Sequence, residues 1–153
     1  MKFDYYLPVN LHFGMGSTEE LGKVTAAWGR KALVVTGRGS SKKTGLLDRV
    51  GWLLQRQGVE CVLFDQVTPN PLSTTAEQGT VLALAEECDV VVAVGGGSII
   101  DCAKAIAFMV KNRGDIFDYI YGRKSGTQAL SLIALPTTCG TGSEGNCFAV
   151  LTD

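Results

Sequence analysis

The run Cys88 to Asp101, CDVVVAVGGGSIID, narrows the choice of fold more than any other stretch of this chain. Val90 to Val94 are apolar without interruption, as in a strand buried on both faces, and three glycines follow at once. Glycine loses more backbone freedom on folding than any other residue, so three in succession at a strand end carry an entropic cost that needs a reason. Beyond them Ile99, Ile100, Ala103, Ile106, Ala107 and Val110 recur at helical spacing, which predicts a helix from Ile99 to about Val110. Strand, glycine loop and amphipathic helix form the unit from which parallel sheets are built.

The same alternation runs through the rest of the chain. Lys31–Gly37, Val59–Phe64 and Leu130–Pro136 read as further buried strands, and Asn10–Gly14 as a short one. Leu46, Leu47, Val50, Leu53 and Leu54 share one face of a helix that Gly58 closes. Thr74 with Glu77, and Ser17 with Glu20, have the spacing of capping boxes, opening helices to Glu87 and to about Trp28. The prolines on either side of Asn70 make TPNPLST a rigid turn. The expected architecture is one α/β domain, a doubly wound, mostly parallel Rossmann-like sheet with helices on both faces.

Bulk properties exclude several classes. Of the 153 residues 46% are hydrophobic and 19% charged, and the formal net charge of −1 gives no support to nucleic-acid binding. No apolar run approaches the roughly 18 residues needed to span a bilayer, and the N-terminus lacks the continuous apolar stretch of a signal peptide. A cytoplasmic protein without membrane partners is expected. The five cysteines are odd in number and form no CxxC pair, which fits a reducing compartment, and Cys88 and Cys102 read as small buried hydrophobes. One histidine, His12, cannot by itself supply a metal site, so no metal ligands are assigned.

Three strands end in loops rich in Gly, Ser and Thr: Thr36–Ser41, Gly95–Ser98 and Pro136–Glu144. In an open α/β sheet ligands bind beyond the carboxyl ends of the strands, where bare loops and a helix N-terminus offer backbone N–H groups to phosphate oxygens. The glycines thus read as a pyrophosphate cradle, against the plainer reading of a tight turn, because Ile100 breaks the GxGxxG spacing. Asp101 is either a first-turn carboxylate that pairs with Ser98 and the helix dipole, or an acceptor for ligand hydroxyls or an amide. Arg38, Lys42 and Lys43 are either a solvated basic turn or the site of an extra phosphate, and their loop has no carboxylate of the kind that takes ribose hydroxyls.

The stretches FGMGS, KALVVTGRGSSKKTG, FDQVTPNPLSTTAEQG, CDVVVAVGGGSIIDCAKAIA, LIALPTTCGTGSE and AVLTD together resemble the N-terminal half of the iron-containing (group III) alcohol dehydrogenases, in family order from Phe13 to Asp153. The resemblance implies a nicotinamide-dependent oxidoreductase acting on an alcohol/aldehyde pair. It places the pyrophosphate on Gly96, Gly97 and Ser98, Asp101 beside the nicotinamide, Thr137 and Thr138 near the adenine and ribose, and Thr141 near the phosphates. Gly37, Ser40 and Ser41 would accommodate a 2′-phosphate, which favours NADP and leaves NAD open. A glycerol dehydrogenase or dehydroquinate synthase relative shares the glycine loop but matches PTTCGTGSE and TPNP less well.

The resemblance also marks departures. Gly145 and Asn146 stand where the family has Val and Thr, in a segment that nears the nicotinamide and substrate. Cys139 replaces a common alanine, and both it and Cys147 read as inert. The family holds its iron or zinc in a helical second domain that these residues do not include, so the expectation is no catalytic residue and no catalysis from them alone. A non-catalytic NADP(H)-binding module is the competing expectation. Family members assemble through N-terminal strands, which would make Asn10–Phe13 an edge of a homo-oligomer.

Overall fold

The computed structural model describes residues 2–4 and 6–153, apart from the side chain of Ser40. Four strands, β1 (Lys31–Gly37), β2 (Glu60–Val67), β3 (Val90–Gly95) and β4 (Ser131–Pro136), form a sheet of order β2-β1-β3-β4 in which every pairing is parallel. The chain winds outward from β1 to β2, then jumps back across β1 to place β3 on its other side. Between β1 and β3 the winding reverses, which is where such sheets open a crevice.

Alternate residues of the central strands serve two separate cores. Leu33, Val35, Val91 and Ala93 face α4 (Ser73–Ala85) and α5 (Gly97–Lys111), where Ile100 and Ile106 are fully buried. Ala32, Val34, Val90, Val92 and Val94 face α1 (Leu21–Ala26) and α3 (Leu46–Gln55), where Val50 and Leu54 are fully buried. Burying a side chain of this size stabilises the fold by about 1.5–3 kcal/mol, so β3, buried at every position, anchors both layers. Helices α4 and α5 approach closely because Gly79 has no side chain; a Cβ there would lie 2.3 Å from Ile106 Cδ1. Two short helices, α2 (Ser40–Lys43) and α6 (Ile116–Ile120), carry too little periodicity to have been foreseen.

The amino ends of the strands are closed by a side chain. The Asp89 carboxylate accepts the backbone N–H groups of Arg30 at 2.9 Å and Lys31 at 2.8 Å, fixing where β1 and β3 begin. At the other end the pairing of β1 and β2 is irregular. The register advances from Val35↔Phe64 to Gly37↔Val67, so β2 carries one extra residue there, a bulge.

Several expectations need correction. Neither capping box forms: Leu72 and Gly16 occupy the cap positions, without a side-chain cap bond, and the first turn after Gly16 is a 3₁₀ turn, Ser17–Glu20. Residues 10–14 form no strand; His12 pairs with Glu20 at 3.0 Å on the surface. Helix α5 begins at Gly97 rather than Ile99, which brings two of the three glycines to its cap and first turn.

Candidate functional site

The carboxyl ends of β1, β2 and β3 and the loop after β4 enclose a cleft of about 460 Å³. Its floor is Gly37 at the end of β1 together with Gly96 and Gly97, where β3 turns into α5. The turn itself needs glycine: Gly95 has φ +156°, and a Cβ on it would lie 2.1 Å from Ile99 Cδ1. Gly96 and Gly97 are glycine for a different reason. A Cβ on Gly96 would meet Thr138 Oγ1 at 2.7 Å, and one on Gly97 would meet the Cγ2, Cβ and Oγ1 of Thr141 at 2.8–2.9 Å. The loop after β4 therefore lies directly against bare backbone. In the first turn of α5 the Ile99 and Ile100 amides bond Gly96 O at 3.0 and 3.1 Å, while Gly97 and Ser98, which precede them, line the cleft.

Among the described residues Arg38 is the one ionisable residue lining this cleft; its guanidinium donates to Gln66 Oε1 at 3.2 Å. The nearby Asp65 is not a lining residue. Lys42 hydrogen-bonds its carboxylate and holds its pKa below the usual range.

A second hollow of about 310 Å³ continues from the first, sharing Gly97, Ser98 and Thr141 with it. It is walled by a strap, residues 143–152, that crosses α5 and ends beside the TPNP turn. There Thr152 exchanges backbone bonds of 2.8 Å with Pro71 O and Ser73 N. The strap is held in its middle by two side chains of α5. The Asp101 carboxylate accepts the Ser143 hydroxyl and, at 3.2 Å, the Val150 N–H. The Lys104 ammonium donates to Ser143 Oγ at 3.1 Å, Asn146 Oδ1 at 3.2 Å and Phe148 O at 2.6 Å, with Asp101 Oδ1 at 3.6 Å. Burial pulls the Lys104 pKa below its ordinary value, against the Asp101 carboxylate, which raises it. Beside it Glu144 Oε2 is buried without a hydrogen-bond partner.

The structure brings together Gly37, Gly96, Gly97, Ser98, Thr138 and Thr141 in the first hollow, and Asp101 in the second. Asp101 neither caps α5 nor pairs with Ser98, whose hydroxyl faces the Asn70 N–H at 3.4 Å. Ser41 is turned away from the cleft: it is buried, with its hydroxyl 3.1 Å from that of Thr36 and 3.4 Å from Val94 O. The side chain of Ser40 lies outside the described residues, and Thr137 lies beside the cleft rather than in it, its N–H on Gly95 O at 3.0 Å. Sequence reasoning missed Lys104 and the lining role of Thr68 and Pro69. The signal for Lys104 was present, since Asp101 and Lys104 are the only charges of α5 before Lys111.

A parallel α/β sheet with a glycine-floored cleft at its switch point defines a Rossmann-like α/β class of domain. The family profile described as iron-containing alcohol dehydrogenase matches residues 8–153, and the chain belongs to that family. It is 40% identical over 152 residues to the probable NADH-dependent butanol dehydrogenase 2 of Bacillus subtilis, covering 99% of this chain and 39% of that protein. It is 37% identical over 154 residues to the 1,3-propanediol dehydrogenase of Klebsiella pneumoniae, covering 99% and 40%. Among solved structures, an archaeal halo-thermophilic Red Sea brine pool alcohol dehydrogenase bound to NZQ superposes with TM-score 0.91 at 38% identity, over 99% of this chain and 40% of that one. The sulfoacetaldehyde reductase of Bifidobacterium kashiwanohense, in complex with NAD+, does so with TM-score 0.86 at 33% identity, over 100% and 40%. The chain thus spans about two fifths of the length of these relatives.

Proposed function

We propose that these residues are the cofactor-binding part of a nicotinamide-dependent alcohol dehydrogenase, acting on a small primary alcohol/aldehyde pair. The observation that carries this reading is the continuous cleft floored by Gly37, Gly96 and Gly97 at the β1/β3 switch point. Bound there, the nicotinamide cofactor supplies hydride transfer. The chain's own residues bind and orient it. The pyrophosphate lies on the amides that open α5, with Ser98, Thr138 and Thr141 as hydroxyl donors around it. The nicotinamide end extends toward Asp101, where a carboxylate repels phosphate and favours the cationic oxidised ring.

On the same reading the adenosine ribose lies toward Gly37 and Arg38 and carries a 2′-phosphate. Among the described residues the cleft presents a guanidinium and no carboxylate to that end, which suits NADP better than NAD. Two of the relatives point the other way by name, one as NADH-dependent and one as a complex with NAD+. Titration with NADPH and NADH, followed by nucleotide fluorescence, decides between them. Tighter NADPH binding, with Arg38→Ala weakening NADPH about tenfold and NADH little, is the expected result. Tighter NADH binding overturns the 2′-phosphate assignment, and absence of binding by either overturns the cofactor reading.

The family name implies a divalent metal. Among the described residues no three His, Cys, Asp or Glu side chains converge as a metal site, so no step is assigned to a metal on these residues. No helix of the described residues is long and apolar enough to cross a membrane, and we place the protein in the cytoplasm as a homo-oligomer without nucleic-acid partners.

A further inference from the structure

We infer that Lys104 is a positioning residue, whose half-buried ammonium fixes the strap 143–150 as the wall of the second hollow. The inference rests on the dehydrogenase reading for what the hollow holds, and on geometry alone for what Lys104 does. An ammonium has three N–H donors, and here all three have acceptors on one short segment: Ser143 Oγ, Asn146 Oδ1 and Phe148 O. None is left for a ligand, which separates Lys104 from a group that acts on substrate or cofactor.

The arrangement is specific rather than incidental. The Lys104 and Asp101 side chains are only 13% and 15% exposed, and a long cation ordinarily reaches for water instead of staying under a loop. Holding it there carries a desolvation cost, which is offset only by charge-assisted bonds to the strap. Residues 147–150 are exposed, so their course depends on the bonds beneath them. Both backbone groups of Phe148 are engaged in this way, its carbonyl on Lys104 and its N–H on Asn146 Oδ1 at 2.9 Å. Asn146 closes the ring with its amide on Gly142 O at 2.8 Å. Lys104 and Asn146 thus act as a pair, with the lysine supplying the donors and the asparagine passing the constraint on to Phe148.

The test compares wild-type protein with Lys104→Met, Lys104→Arg and Asn146→Ala. In the intact unliganded protein, Lys104→Met should speed hydrogen exchange at the Phe148 and Val150 amides about tenfold or more, with β1 and β3 unchanged. Lys104→Arg, which keeps a charged multiple donor, should restore most of the protection, and Asn146→Ala should speed Phe148 alone. In the full enzyme, Lys104→Met should raise the KM for alcohol about tenfold and leave the cofactor Kd within about twofold. Unchanged exchange in Lys104→Met overturns the inference, as does a cofactor Kd that rises as much as the alcohol KM. If the protein binds no nicotinamide cofactor, the functional reading fails while the exchange result still decides the role of Lys104.

Discussion

The two hollows of the cleft are built from opposite materials. The first is made of backbone: glycines at the ends of β1 and β3, with threonine side chains set against them. The second is made of side chains, an aspartate and a lysine of α5 drawing a loop across the helix. A backbone site is rigid because its neighbours leave no room, and it fails when volume is added. A side-chain site is held by a few charged bonds, and it fails when a donor or acceptor is removed.

The contrast is broken most directly at Gly97. Its missing Cβ would sit within 2.9 Å of three atoms of Thr141, including Thr141 Cβ, so no rotation of the threonine relieves the clash. Overpacking of this kind costs about 1–3 kcal/mol, here at the proposed pyrophosphate site. Gly97→Val should weaken dinucleotide binding about tenfold or more, by fluorescence titration, with the far-UV circular dichroism retained. Unchanged affinity would mean that the glycine floor is not the cofactor site. At Gly96 only the Thr138 hydroxyl is close, at 2.7 Å, while Thr138 Cγ2 and Cβ stand at 3.7 and 3.8 Å. Rotation can relieve that contact, so Gly96→Ala should cost less than about threefold in the same titration. A larger loss than at Gly97 would reverse the order that the geometry assigns.

In the second hollow, charge should matter more than volume. Asp101→Asn keeps the shape but leaves the half-buried Lys104 ammonium beside a neutral amide. Truncating one member of a buried hydrogen-bonded pair costs about 1–3 kcal/mol, and urea unfolding should show a loss in that range. The dinucleotide Kd should move less than for Gly97→Val. A null effect on unfolding would show the ion pair to be solvated in practice.

The same contrast explains what was legible in the sequence. Sheet, strand ends and glycine floor were readable because each follows from local chemistry: apolar runs for strands, and glycine where a Cβ cannot fit. The second hollow depends on contacts across about forty residues, from Asp101 and Lys104 to Ser143–Val150, and no local rule predicts such a pairing. The two capping boxes failed for a related reason. The S/T-x-x-E spacing is compatible with a cap but does not compel one, and tertiary packing placed Leu72 and Gly16 at the cap positions instead. Ser41 reads as a polar loop residue, yet it sits under Thr36 as a brace between β1 and β3, because α2 turns it inward.

Helix α5 joins the two kinds of construction, and alkaline pH separates its faces. Cys102 is buried in the core beneath it, and burial pushes its thiol up to about 12; Cys88, at the start of β3, rises to about 11 for the same reason. An unfolded thiol ionises near 8.5, so above that pH the unfolded state holds fewer protons and stability falls as pH rises toward the folded values. Lys104, on the other face, has its pKa lowered by burial. In the window below its unfolded value the unfolded state holds more protons, so stability gains as pH rises. Urea unfolding between pH 8 and 10.5 should therefore show a shallow decline for the wild type. Cys102→Ala should flatten it and Lys104→Met should steepen it. Parallel shifts in both variants would mean that one of the two groups is not buried in solution as it is here.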